Sequence, residues 1–259
     1  MSNIMLVGGA RVIPLAIMLP AFGGRHVPLS IRLALGALLA ALAWPLVAAA
    51  YGGAGLDRAS PLLWILIVGR ELAVGVAVGF VASLAFHAAE VAGQLGDGLR
   101  GANAAAILIP ASDGGAPSPL GTLYLLLATV IFLEIGGLSR VIAALMNSYA
   151  AVPLGLSNAS VSGMQNAALV VLLASAKLLA TALGLAAPLI VAMLLADVAL
   201  AALARLAPDL PIYFLGLPVK ALLGVGVILL GLGALHGTLA SGFAGWLDLV
   251  NRVIDSFRR

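Results

Sequence analysis

Long apolar blocks alternate along this chain with short breaks rich in glycine, proline and its few charges. A helix needs about 20 mostly apolar residues to cross a bilayer, and several blocks reach that length. Residues 4–22 read as a first helix, interrupted at Pro14. A loop follows at 23–28, and Ser30 is placed to cap the next helix. Residues 33–56 carry no charge and are long enough to span; the glycines at 52, 53 and 55 end the run. Pro61 opens a third helix expected to reach about Glu90. Within it, Gly69-Arg70-Glu71 precedes Gly75 and Gly79. Two glycines four apart make a face on which another helix can pack closely, although glycine is common throughout the chain.

Residues 93–119 change character. The segment is rich in glycine, proline and small residues, and is too short and too broken to span; it suits a re-entrant loop or a segment protected inside an assembly. A further apolar helix is expected over about 120–146, with Glu134 inside it. A polar loop covers about 147–163. The apolar stretch 164–206 contains Lys177, Pro188 and Asp197. It is too long for one span, and Pro188 predicts a kink or a hairpin corner there. Pro208 and Pro211 bracket a turn. Residues 212–247 are apolar again, with Lys220 and His236, and 248–259 read as an amphipathic, basic-ended tail. The sum is an all-α protein of six to eight broken apolar helices in a single domain, 1–259, with no internal repeat.

Composition makes the membrane reading hard to avoid. The 259 residues are 63% hydrophobic and 9% charged, against about 45–50% and about 25% in soluble domains. So few charges cannot build a water-facing surface; lipid, partner subunits or both must cover the rest. No cysteine is present, which excludes disulfides, thiolate metal sites and cysteine nucleophiles. The net charge is +3, but the 13 basic residues are scattered, whereas nucleic-acid binding needs a basic cluster. The first apolar run carries Arg11 and lacks a clean cleavage site, so the N-terminus is expected to be retained.

The informative chemistry is charge within apolar helices: Arg70, Glu71, Glu90, Glu134, Lys177, Asp197 and Lys220. Each costs about 2.5–3.5 kcal/mol at a helix centre in lipid, so each should face a partner, a cavity or an opposite charge. An ion or proton relay and structural pairing both fit, but the charges do not recur on one helix face as a relay would suggest. His26, His87 and His236 lie far apart without ligand-spaced neighbours, which argues against a metal site. No P-loop, GxSxG or HExxH pattern occurs. The glycines between 93 and 101 follow a helix rather than a strand, so no nucleotide fingerprint is present. Neither catalysis nor a cofactor is expected. Two readings remain from the residues themselves: a subunit of a membrane complex whose broken central loop lines or blocks a path, or an inner-membrane transporter of small solutes. Broken helices serve both.

The order of motifs resembles the FliR/SctT family, export-gate subunits of flagellar and injectisome type III secretion systems. The resemblance covers nearly the whole chain. It runs through Arg11, Pro20 and Val27-Pro28 with Arg32; Gly69-Arg70-Glu71 with Gly75 and Gly79-Phe80; Ala89-Glu90-Val91-Ala92-Gly93; Asp97, Arg100-Gly101 and Pro110; Ser118-Pro119-Leu120-Gly121; and Ser148-Tyr149. It continues through Ala187-Pro188-Leu189, Arg205-Leu206-Ala207-Pro208-Asp209-Leu210 and Pro218-Val219-Lys220. Several of these variants look like the injectisome branch. Leu99 and Ile109 depart from the family pattern and make the central loop more apolar.

The resemblance implies a non-enzymatic subunit of a multi-pass assembly in the bacterial inner membrane. Its helices would form hairpins and pack into a funnel-like hetero-oligomer with SctR/FliP-type and SctS/FliQ-type subunits, beside a SctU/FlhB-type switch protein. Unfolded secretion substrates would pass through the pore, and membrane lipid would contact the outside. The loop after Gly101 would correspond to the family's plug. The seal is expected at Ala104, Ala105, Ala106, Ile107, Leu108 and Ile109, with Gly101, Gly114 and Gly115 as hinges, because small flexible apolar residues block water yet yield to an unfolded chain. The same loop could instead merely pack between neighbouring helices. Arg70, Glu71, Glu90, Asp97, Arg100, Asp197, Arg205 and Lys220 are expected to be structural charges.

Overall fold

Helix is the only regular structure among the described residues of the computed structural model, which are 2–24, 27–50, 60–101, 118–152 and 161–257. In chain order the α-helices are α1 (Ser2–Met18), α2 (Leu29–Ala50), α3 (Pro61–Leu99), α4 (Pro119–Glu134), α5 (Gly137–Ala151), α6 (Val161–Leu206) and α7 (Ile212–Ser256), with a short 3-10 turn at Pro20–Phe22. The all-α, membrane-type expectation is met. Three helices, α3, α6 and α7, are long and apolar enough to cross a membrane, and α4 with α5 makes a fourth if counted as one broken span. At about 1.5 Å per residue these three helices run roughly 58–69 Å, about twice the hydrocarbon thickness of a bilayer.

Boundaries differ from the sequence reading in instructive ways. Helix α1 continues through Pro14, although that proline cannot donate to the carbonyl of Ala10. Helix α3 passes Glu90 and runs to Leu99; glycines that looked like loop material serve as contact points instead. A side chain at Gly93 would collide with the Leu120 backbone, and one at Gly96 with Leu189. The stretch expected as one helix over 120–146 is two, parted at Ile135-Gly136, with Gly136 at φ 69°. Pro188 is neither a corner nor a break: α6 passes through it. Leu185, Ala186, Leu189 and Met193 are buried around it, and their packing offsets the lost hydrogen bond. The corner lies instead at 207–211, where the Leu210 amide donates to the Ala207 carbonyl at 3.2 Å.

The chain forms two compact units. The first comprises Met1–Ala85, Phe132–Lys177 and Gly242–Arg259; the second comprises Phe86–Ile131 and Leu178–Ser241. In the first, α1 and α2 form an antiparallel hairpin: Gly8 faces Val47, Gly9 faces Ala40 and Gly36 faces Ala16. Arg32 near the start of α2 donates to the Ile17 carbonyl at 3.1 Å, placing a cation at the negative end of α1. Val7, Ala43, Val47, Ile67 and Tyr149 form a buried cluster. The expected tail, 248–259, is not a separate helix: α7 carries on to Ser256, with Val250, Val253 and Ile254 buried and Asp248, Asn251, Arg252 and Asp255 exposed. In the second unit the end of α3 meets the start of α4, with Gly93 against the Leu120 backbone, and the α6–α7 hairpin is antiparallel, with Gly216 against Leu200.

Candidate functional site

The segment singled out from sequence as plug-like is held at its base by one carboxylate. Helix α3 is followed by a turn at Gly101, whose φ of 77° is left-handed, a conformation that glycine adopts at no steric cost. Four residues earlier, Asp97 is 2% exposed. Its Oδ1 accepts from Arg100 Nη2 at 2.5 Å, and its Oδ2 accepts from Ser118 Oγ at 2.6 Å and from the Leu120 amide at 2.8 Å. Ser118 Oγ in turn accepts from the Gly121 amide at 3.0 Å. Asp97 and Ser118 thus satisfy the free amides at the start of α4, where an anion is also favoured by the helix dipole. Pro119 suits the first helical turn because its missing N–H would be unpaired there anyway. Residues on both sides of 102–117 are thereby tied together. Arg100 lies over Gly224 of α7, where any Cβ would strike its side chain, and a side chain at Gly101 would come within 2.8 Å of Leu217. Ala104, Ala105, Ala106, Ile107, Leu108, Ile109, Gly114 and Gly115 lie outside the described residues.

A second node sits in the first unit. Arg11 is fully buried, and its Nε donates to Glu71 Oε2 at 2.7 Å. Its Nη1 donates to Ser148 Oγ at 3.1 Å and its Nη2 to the Val152 carbonyl at 3.0 Å. The guanidinium lies 4.5 Å from the Tyr149 ring centroid, within cation–π range. The Tyr149 hydroxyl donates to the Gly8 carbonyl at 2.6 Å. Three residues of α5 and its cap, Ser148, Tyr149 and Val152, are thus drawn onto α1. Glu71 is itself fully buried, and its Oε1 has no hydrogen-bond partner among the described residues. Arg70 is also buried. The approach of α1 to α3 depends on Gly75 and Gly79: a Cβ at 75 would strike the Arg11 carbonyl, and one at 79 would lie 3.1 Å from Leu15 Cα.

The remaining charges are more open. Asp197 and Lys220 form an ion pair across the α6–α7 hairpin, the carboxylate half exposed. Glu90 accepts from Gln94 at 3.5 Å and lies 3.2 Å from His87 Nδ1. Arg205, in the last turn of α6, is exposed, where a cation is favoured by the negative end of the helix dipole. Lys177 lies 4.9 Å from the Trp246 ring. Pairing therefore brings Asp97 to Arg100 and Asp197 to Lys220, while Glu71 goes to Arg11. Arg11, Ser118, Ser148 and Tyr149 had stood in the sequence only as motif positions without a role. A serine directly before proline at a helix start was the available signal for Ser118; nothing local marks Arg11 as the partner of Glu71.

A family model described as bacterial export proteins, family 1, matches residues 3–245. Yop proteins translocation protein T of Yersinia pestis is 35% identical over 162 residues, 61% of this chain and 59% of that protein. Flagellar biosynthetic protein FliR of Escherichia coli K12 is 30% identical over 166 residues, 64% of this chain and 61% of that protein. FliR of Pectobacterium carotovorum is 29% identical over 226 residues, 86% of this chain and 80% of that protein. The match to the first two of these relatives thus spans less than two thirds of their length.

Proposed function

Because the chain belongs to the bacterial export proteins, family 1, the FliR/SctT family of type III secretion export-apparatus proteins, we propose that it is a core subunit of the export gate. Residues 1–259 would work as one export-gate domain in the bacterial inner membrane. With SctR/FliP-type and SctS/FliQ-type subunits, and a SctU/FlhB-type switch protein beside them, it would form the pore through which unfolded proteins leave the cytoplasm. The family match over 3–245 carries this reading. The relatives named for Yop translocation and flagellar biosynthesis support protein as the cargo. The subunit has no enzymatic step of its own in this scheme, and the energy for transport comes from other components.

Residues 104–109 are proposed as the seal, and Gly101, Gly114 and Gly115 as its hinges. The Asp97 clamp supports this, since a segment that must yield needs fixed ends. Deleting 104–109 should leave assembly intact and make the membrane leak ions; a tight membrane in the deletion strain would count against the seal. The primary test is native mass spectrometry after co-expression with the neighbouring small membrane subunits. One copy of this chain with several of each partner is the expected result. A stable lone chain that ignores those partners would overturn the gate reading, and solute flux through it in liposomes would point to a small-solute transporter.

A further inference from the structure

In the second unit an open groove of about 500 Å³ runs between α3 and α6. Val91, Leu95 and Leu99 line it from α3, and Leu183 and Ile190 from α6. Spacings of three and four place the α3 residues on one face, with Gly98 leaving a gap in that face. Leu95 is 37% and Leu183 55% exposed, so the lining is open to whatever lies outside. The groove is not simply apolar. Gln94 lies in its wall, and one residue before Val91 stands Glu90. The described charges of the second unit are Glu90, Asp97, Arg100, Asp197, Arg205, Asp209 and Lys220. Asp97 is held by Arg100 and Asp197 by Lys220, and Arg205 and Asp209 are exposed beside the α6–α7 turn. Among the described residues Glu90 meets the Gln94 amide and His87, whose imidazole is charged only when protonated. An apolar trough with an acidic edge therefore faces outward from a helix of membrane-crossing length.

The geometry points to this groove as the docking site for one apolar helix of another export-apparatus subunit, bearing a lysine or arginine that reaches Glu90. The inference rests on the gate reading and adds the face and the chemistry of the partner. Lipid tails fill the apolar floor but leave the carboxylate uncompensated, and a charge at membrane depth is expensive without a partner. A helix lying in the groove covers the leucines, approaches closely at Gly98, and brings the missing cation with a charge-assisted hydrogen bond.

The test uses the complex purified after co-expression. A photoreactive side chain is placed at Leu95, and separately at Leu183, and the crosslinked peptide is sequenced. The expected product is an apolar segment of another subunit with a lysine or arginine within about two helical turns of the crosslink. Glu90→Lys should lower the yield of complex on the order of tenfold through like-charge repulsion, and changing the identified basic residue to Glu should restore it. Crosslinks to lipid alone, or to a second copy of this chain, would overturn the docking proposal while leaving the complex intact. So would an undiminished yield from Glu90→Lys. Should the unaltered chain form no complex at all, the gate reading itself fails and the docking proposal falls with it. If Glu90→Lys does not fold, the crosslinks in the otherwise unaltered chain still decide the matter.

Discussion

Arg11 and Glu71 stand 60 positions apart and meet in full burial. Taking two charges out of water is expensive, so such a pair adds little net stability over a well-packed apolar pair. Breaking it, in contrast, strands one charge and costs about 3–5 kcal/mol. Glu71→Leu should therefore sharply reduce the recovery of folded chain in detergent, because Arg11 would keep only Ser148, Val152 and the Tyr149 ring. Arg11→Leu combined with Glu71→Leu should recover most of the loss. A double-mutant cycle on thermal denaturation measures this, and additive losses from the two changes would show that the residues do not act as a pair. The sequence marked Glu71 as a charge that needs a partner, through its place in an apolar helix. It could not name Arg11, because the pairing is set by how α1 crosses α3 at Gly75 and Gly79, which is a property of two backbones and not of either segment.

At the scale of helices, the clamp at Asp97 joins the end of α3 to the start of α4. Asp97→Ala removes the acceptor for Arg100, Ser118 and the Leu120 amide together. Hydrogen bonds to charged groups contribute about 1.5–3 kcal/mol each, and their loss should fray the first turn of α4 without unfolding α3. Hydrogen exchange of peptides that begin near Leu120 should accelerate by at least roughly tenfold, while peptides from the middle of α3 stay protected. Asp97→Asn, which keeps an acceptor, should sit between. Equal acceleration along both helices would mean that Asp97 supports the whole second unit rather than this junction. Much of the helix pattern was legible: the Pro61 start, the 207–211 corner and the apolar spans follow from composition and from proline and glycine placement. The end of α3 was not, because Gly93 and Gly96 read as breakers when their neighbours are unknown. In place they admit the Leu120 backbone and Leu189, so contact decided what propensity could not. Pro188 misled for the same reason.

For the molecule as a whole, the dominant fact is the apolar surface left uncovered. On α7 Leu230 is 91%, Leu222 75% and Phe214 70% exposed, and on α6 Leu206 is 83% exposed. Monomers in water rarely expose contiguous apolar patches above a few hundred Å², so these faces must meet lipid or protein. The two covers have different consequences. Asp197 of the Asp197–Lys220 pair on this hairpin is itself half exposed, and an ion pair is poorly placed against lipid tails. Cover by other subunits is therefore the arrangement that fits both the leucines and the pair. A photoreactive lipid probe dissolved in the membrane separates the cases. In the chain expressed alone it should label 213–230 heavily. After co-expression with the neighbouring gate subunits, labelling of that stretch should fall several-fold, while any face that remains against lipid keeps its signal. Unchanged labelling of 213–230 in the assembled complex would mean that lipid covers this surface. Asp197 and Lys220 would then have to stabilise each other against lipid in both states, and Asp197→Leu would cost as much in the complex as in the lone chain.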